Sequence, residues 1–187
     1  PYFLPMNQDF SKLESNRKIY FASDFHLGVP TVLESKSREL KIVRWLDMAA
    51  IDAQAIFLVG DLFDFWFEYQ QTVPKGYTRF LGKLAELSDR GIQIVVFSGN
   101  HDLWMQDYLK EEIGAVLYHN PQDFKIGEHE FYVAHGDGLG PGDRKYKFFK
   151  KGFANHLCQW LFQWLHPNLG VALAKYWSGH SRSAQEH

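Results

Sequence analysis

Ala55-Ile-Phe-Leu-Val-Gly60-Asp61-Leu-Phe-Asp64 is an apolar run that stops at a glycine and passes at once into two aspartates. A short, continuous apolar run bounded by a turn signal reads as a strand buried on both faces. Ligand-type residues directly behind such a strand read as a site, because open α/β sheets bind ligands outside the carboxyl ends of their strands. The same pairing recurs along the chain. Lys18 to Ser23 precedes Asp24-Phe-His26, Ile92 to Phe97 precedes Gly99-Asn100-His101-Asp102, and Phe131 to Ala134 precedes His135-Gly136-Asp137.

Between these strands the period changes. Glu34 to Asp52 carries Leu40, Val43, Leu46 and Ala50 at helical spacing, and Tyr77 to Arg90 carries Phe80, Leu81, Leu84 and Leu87, with Gly91 where a helix C-cap belongs. The order β-α-β-α-β predicts a largely parallel sheet flanked by helices. The 187 residues, 45% hydrophobic and 22% charged, suffice for one globular domain with a buried core. Twenty cationic against 22 anionic side chains give a formal charge of −2, which lacks the basic footprint of a nucleic-acid binder. Any polyanion site must be local. Cys158 is the single cysteine, so no internal disulfide is expected, and this suits a reducing cytosol. No segment has the layout of a secretory signal, and no apolar run reaches the ~18–20 residues of a spanning helix.

The four clusters offer carboxylates, imidazoles and an amide oxygen, a donor set suited to manganese, iron or zinc rather than to calcium or a thiolate-bound metal. Two cations ~3.5–4 Å apart around a shared carboxylate would activate water and clamp a phosphoryl group, and Asp61 is the candidate bridge. Any one cluster is explained as well by a turn or a helix N-cap. Four together are not, because so many carboxylates and imidazoles side by side are costly unless cations offset their desolvation and repulsion.

The order D-x-H, GD-x-x-D, GNHD, H-G-D over Asp24 to Asp137 resembles the calcineurin-like metallophosphoesterase superfamily. The resemblance implies an αββα sandwich and two divalent metal ions, Mn2+ first, with Fe or Zn as alternatives. It implies Asp24 and His26 on one metal, Asp61 bridging, and Asn100 and His135 on the second. His101 would be catalytic, facing the leaving group and oriented by Asp64. Asn100 would also contact substrate.

Gly60-Asp61-Leu62-Phe63-Asp64-Phe65-Trp66 further resembles the UDP-2,3-diacylglucosamine pyrophosphohydrolase family, whose members release UMP and lipid X in lipid A biosynthesis. In that family Asp143 corresponds to a substrate-contacting aspartate. Ser181-Arg182-Ser183-Ala184-Gln185 resembles its Ser-x-x-x-Asn element, with Gln185 in place of Asn. Many members carry Arg where this chain has His101, so here the contact follows the wider superfamily. The superfamily's closing Gly-His-x-His motif is absent; Gly179-His180-Ser181-Arg182 lacks its second histidine. Together with the opening Pro1, this leads to the expectation that the sequence is part of a longer chain, with about a C-terminal third missing by family comparison.

From Arg144 to Trp177 lysines mix with large apolar residues, and Phe149, Phe153, Leu157, Trp160, Leu161 and Trp164 fall on one helical face. Periodicity alone reads that face as core-directed. The resemblance implies a helical cap whose face, through Phe149 and Phe153, receives acyl chains. The division expected is therefore 1–143 as metallophosphoesterase core and 144–187 as cap of the same domain. The expected partner is a nucleotide-sugar lipid, and the expected location is cytoplasmic, peripheral at the inner membrane. Two alternatives stay open: a general phosphodiesterase or phosphomonoesterase, and a non-catalytic scaffold of the same fold. A scaffold usually loses ligands within the motifs, and here they are intact.

Overall fold

The computed structural model describes residues 10–69, 71–137, 160–162, 164–166 and 169–170. The described elements run β1 (Lys18–Ala22), α1 (Val32–Ala49), β2 (Ala53–Val59), α2 (Thr78–Asp89), β3 (Gln93–Phe97), α3 (Tyr108–Ile113), β4 (Val116–Tyr118), β5 (Gln122–Ile126) and β6 (His129–Val133). Strands β1, β2, β3 and β4 form a parallel sheet in that order, and β5 and β6 form a separate antiparallel pair.

The apolar runs alternate between two cores, as a strand covered on both faces must. Ile56 and Leu58 of β2, with Ile94 and Val96 of β3, pack on the helix side against Leu46, Phe80, Leu84 and Leu87. Ala55, Phe57, Val95 and Phe97 point the other way, onto Phe124 and Ile126 of β5, Val133 of β6 and Phe10. Helices, parallel sheet and antiparallel pair are thus three stacked layers. The outer helical layer of the expected αββα sandwich, the boundary at residue 143, Cys158 and nearly all of the expected cap lie outside the described residues. No described helix is long and apolar enough to cross a membrane.

Helix ends follow local chemistry. Thr31 caps α1, its hydroxyl accepting from the Glu34 amide at 3.2 Å and donating to the Glu34 carboxylate at 2.6 Å, a reciprocal capping pair. Helix α2 has no side-chain cap of its own, and Glu39 of α1 supplies one by accepting from the Arg79 and Phe80 amides. Gly91 sits past the end of α2 at φ +84°, as its position in the sequence predicts.

The strand expected at Phe131 to Ala134 is observed as β6, in the antiparallel pair. Its partner β5 is only a short turn upstream, too close for the crossover that a parallel neighbour requires. The fourth strand of the parallel sheet is β4, three residues long and too short to carry a period.

Candidate metal centre

The chain leaves β1 and β2 side by side, and their pairing continues past the strand ends. The Asp24 amide donates to the Gly60 carbonyl at 3.1 Å, His26 to Asp61 at 2.9 Å and Leu27 to Leu62 at 3.0 Å, while the Asp64 amide returns to Leu27 at 2.9 Å. This ladder of loops sets Asp24 and His26 beside Asp61. All three adopt left-handed backbone, at φ +59°, +43° and +54°. Such φ is tolerated best by Asp, Asn and His and still stores strain of order 1–3 kcal/mol per residue, a feature that clusters at functional sites. Arg38 of α1, which the sequence reading passed over, holds the outer loop: its Nη1 reaches the carbonyls of Phe25, His26 and Val29 at 3.2, 2.8 and 3.1 Å.

The third loop is tied in through Asp102, which is fully buried. Its carboxylate accepts from the Gly99 amide at 2.7 Å and from the Leu62 and Phe63 amides at 2.7 and 3.3 Å, bolting the loop after β3 to the loop after β2. Burial, with Asp61 nearby, pushes this carboxyl up to about 6 against the three amides that favour its charge. Two glycines allow the close approach. A side chain at Gly99 would collide with the Asp61 carboxylate, and one at Gly60 with the His135 ring.

Asp61 stands at the middle, 3% exposed. Its Oδ1 accepts from the His101 amide at 2.9 Å, and its Oδ2 lies 3.3 Å from His135 Nε2 and 3.8 Å from His26 Nε2. His26 Nε2 is also 3.8 Å from Asp24 Oδ1. His135 donates through Nδ1 to the Val59 carbonyl at 2.9 Å, which turns Nε2 toward the carboxylate and leaves it to act as a ligand. The structure therefore brings together Asp24, His26, Asp61, His101 and His135. Asn100 lies exposed between Gly99 and His101.

Charges follow from this crowding. Burial works to raise the Asp61 carboxyl, yet the His135 hydrogen bond and the His101 amide outweigh it and hold it below the usual carboxylate range. The bond to Asp61 lifts His135 to about 9 despite burial. Burial lowers His26, helped by His101 and opposed by Asp61. His26 Nδ1 is buried without a hydrogen-bond partner among the described residues, and the Asp61 Oδ2 atom is shared between the His26 and His135 rings. That donor set fits divalent cations better than it fits a closed hydrogen-bond network.

Ligand atoms gather within 4.8 Å of one another in two groups, His26, Asp61 and His101, and Asp24, Asp61 and His135. Asp61 is shared, as a bridge must be. Asp24 Oδ1 and His26 Nε2, expected on one metal, are 3.8 Å apart, and His101, expected to be catalytic, also lies within ligand distance of His26 and Asp61. The expected orienting contact is adjusted. His101 Nδ1 meets the main-chain carbonyl of Asp64 at 3.1 Å, while the Asp64 carboxylate is 3.7 Å away. Asp143, Phe149, Phe153, Ser181 and Gln185 lie outside the described residues. Glu68, unremarked in the sequence, is buried, and its carboxylate accepts from Trp66 Nε1 and from the Gln106, Asp107 and Tyr108 amides at 2.8–3.0 Å.

A sequence profile described as Calcineurin-like phosphoesterase matches residues 17–182. Among curated proteins, the chain is 42% identical over 170 residues to a UDP-2,3-diacylglucosamine hydrolase of Porphyromonas gingivalis, covering 90% of this chain and 65% of that protein. It is 28% identical to the Yersinia pseudotuberculosis protein of the same name, covering 83% of this chain and 63% of that one. The chain thus spans just under two thirds of these relatives' length. A solved protein of unknown function from Aquifex aeolicus aligns at TM-score 0.45 and 13% identity, over 72% of this chain and 70% of that one.

Proposed function

This chain belongs to the calcineurin-like phosphoesterase family, and from that membership we propose that it carries the metal-binding core of a hydrolase acting on the pyrophosphate of UDP-2,3-diacylglucosamine. The observation that carries the reading is the meeting of Asp24, His26, His101 and His135 around the buried Asp61. The similarity to proteins named UDP-2,3-diacylglucosamine hydrolase supports the choice of substrate.

Asp24, His26, Asp61, Asn100 and His135 would hold two divalent ions, with Mn2+ the first candidate. When bound, such ions activate water and neutralise charge developing on a phosphoryl group. The chain's own residues supply position. Asp61 fixes the spacing between the two ligand groups, and Asp102 holds the loops that present them. His101, held through Nδ1 by the Asp64 carbonyl, would present Nε2 to the phosphoryl group, where an imidazole proton can meet the leaving group. Water adds to one phosphorus, the bridging P–O bond breaks, and UMP and lipid X are released. Asp143, Ser181 and Gln185 are assigned to the sugar and phosphate, and Phe149 and Phe153 to the acyl chains. Residues 1–143 would be core and 144–187 cap.

Trp160, Leu161, Trp164 and Leu169 are more than half exposed. Aromatic and aliphatic side chains held outward, in a segment that follows a basic stretch in the sequence, suit the interface of an anionic membrane, so peripheral contact at the cytoplasmic face of the inner membrane is part of the proposal.

The test is turnover. Protein loaded with Mn2+ should release UMP from UDP-2,3-diacylglucosamine with a kcat/KM at least a hundredfold above that for an aryl phosphodiester. Equal or better turnover of the aryl ester would favour a general phosphodiesterase instead.

A further inference from the structure

The outward face of α1 is not the polar face that water selects. Val32, Leu33, Met48 and, just past the helix end, Ile51 are more than half exposed, and Leu40 is exposed with them. Leu33, Leu40, Arg44 and Met48, spaced by seven, four and four, fall along one side of the helix. Helix α2, which packs on the same face of the sheet, supplies the comparison. Its exposed positions, Thr78, Arg79, Gly82, Glu86 and Asp89, carry no large apolar side chain, as an outward face in water should. Single exposed leucines need no explanation, but a row of them along a helix about 27 Å long does.

Cations flank the row. Lys36, Lys41 and Arg44 are exposed and form no ion pair with a described residue. Of the exposed acids on α1, Asp47 is paired with Lys83 at 2.9 Å, and Glu34 is hydrogen-bonded to the Thr31 cap. Apolar side chains set between long cations suit an anionic bilayer, where the former enter the headgroup boundary and the latter stay at the phosphates. A second copy suits the face less well. Two-fold pairing about the middle of the helix would set Lys41 and Arg44 against the same two cations of its mate. Position agrees with the bilayer. The first turn of α1 lines a pocket with Phe65 and Tyr69, and Phe162 packs on both rings from the segment that turns Trp160 and Trp164 outward. The two outward apolar surfaces therefore border one loop.

We propose that the outer face of α1, from Leu33 to Ile51, docks on an anionic lipid bilayer, with Leu33, Leu40 and Met48 entering the headgroup layer and Lys36, Lys41 and Arg44 at its phosphates. This deepens the peripheral contact of the proposed function and rests on it. Thr31, the cap of α1, ends the loop that carries His26. A helix lying on the bilayer thus holds the metal centre at the membrane's edge, where a lipid-linked substrate arrives.

Sedimentation of the complete protein with vesicles tests it, with equal parts of phosphatidylcholine and phosphatidylglycerol set against phosphatidylcholine alone. The wild type should favour the anionic vesicles. Two variants, Lys41→Glu with Arg44→Glu, and Leu33→Ser with Leu40→Ser and Met48→Ser, should each weaken that partition at least tenfold. The thermal midpoint and hydrolysis of a soluble phosphodiester should hold in both. Either variant partitioning as the wild type does would overturn the proposal and leave membrane contact to Trp160 and Trp164. A lowered midpoint in the serine variant, or a changed oligomeric state by light scattering, would also overturn it and make the face a seat for the rest of the chain or for a second copy. Wild-type protein that ignores lipid charge would overturn the anionic bilayer as its occupant. Protein that binds neither vesicle would overturn this docking and peripheral contact together, and release of UMP from detergent-dispersed UDP-2,3-diacylglucosamine then shows whether the substrate reading stands.

Discussion

His135 must lose a proton before a cation can take its Nε2. The hydrogen bond to Asp61 raises the ring to about 9, so at pH 7 it is charged in the metal-free protein. Asp61, held low, is already ionised, and His26, lowered by burial, is already neutral. Metal affinity should therefore climb by about a decade per pH unit between pH 7 and 9 and level off above. Calorimetry of Mn2+ binding in buffers of different ionisation enthalpy should show about one proton released per chain at pH 7. An affinity independent of pH over that range would remove His135 from the ligand set. Asp61→Ala should abolish detectable hydrolysis and release at least one metal, because two cations would be left without the carboxylate between them; two metals retained by elemental analysis would refute the bridge. His101→Ala separates two roles that the geometry leaves adjacent. Preserved metal content with a slower chemical step is expected of a group facing the leaving oxygen, whereas metal loss would make it a ligand, as its place beside His26 and Asp61 allows.

Elements bring these residues together through two buried acids. Asp102 joins the loops after β2 and β3, and Glu68 fastens the loop beyond Asp64 to the start of α3. Glu68→Ala would strand three backbone amides and the Trp66 indole, a loss of roughly 2–4 kcal/mol for bonds to a buried charge. Urea denaturation measures it, and a change below about 0.5 kcal/mol would mean that water replaces the carboxylate. Neither acid's role could be read from a linear pattern, since each depends on partners about forty positions away or on a loop's path. What was legible is physically local. The apolar runs at β1, β2 and β3, the stripe of α2 and the stop at Gly91 all follow from period and cap chemistry. The strand β4 escaped because three residues carry no period, and the sheet to which β6 belongs was not legible because an apolar run does not say which neighbour it pairs with. The clustering of Asp24, His26, Asp61 and His135 was legible because each sits directly behind a strand; the left-handed backbone at Asp24, His26 and Asp61 was not.

For the whole molecule, the question is what faces the lipid. A formal charge of −2 gives no long-range attraction to an anionic bilayer, so binding must come from a local patch. Trp160 and Trp164 are 53% and 75% exposed and lie 5.9 Å apart, while Phe162 between them turns inward onto Phe65, Phe67, Tyr69 and Trp104. One segment thus anchors by one side chain and presents two outward. If the outward pair inserts at an interface, replacing both by Ser removes on the order of 100 Å² of buried apolar area, about 2.5 kcal/mol at ~25 cal/mol per Å², and partition onto anionic vesicles should fall by more than tenfold. Because neither ring is buried in the described structure, the thermal midpoint should move little, and hydrolysis of a short, soluble phosphodiester should survive. The core-directed reading of the same helical face predicts the reverse. Substitution would then cost stability, and both activities would fall with the fold whether or not vesicles are present. Phe149→Ser with Phe153→Ser applies the same comparison to the acyl assignment. Loss confined to the long-chain substrate supports a lipid-receiving face, and equal loss of both substrates with a lowered midpoint returns that face to the core.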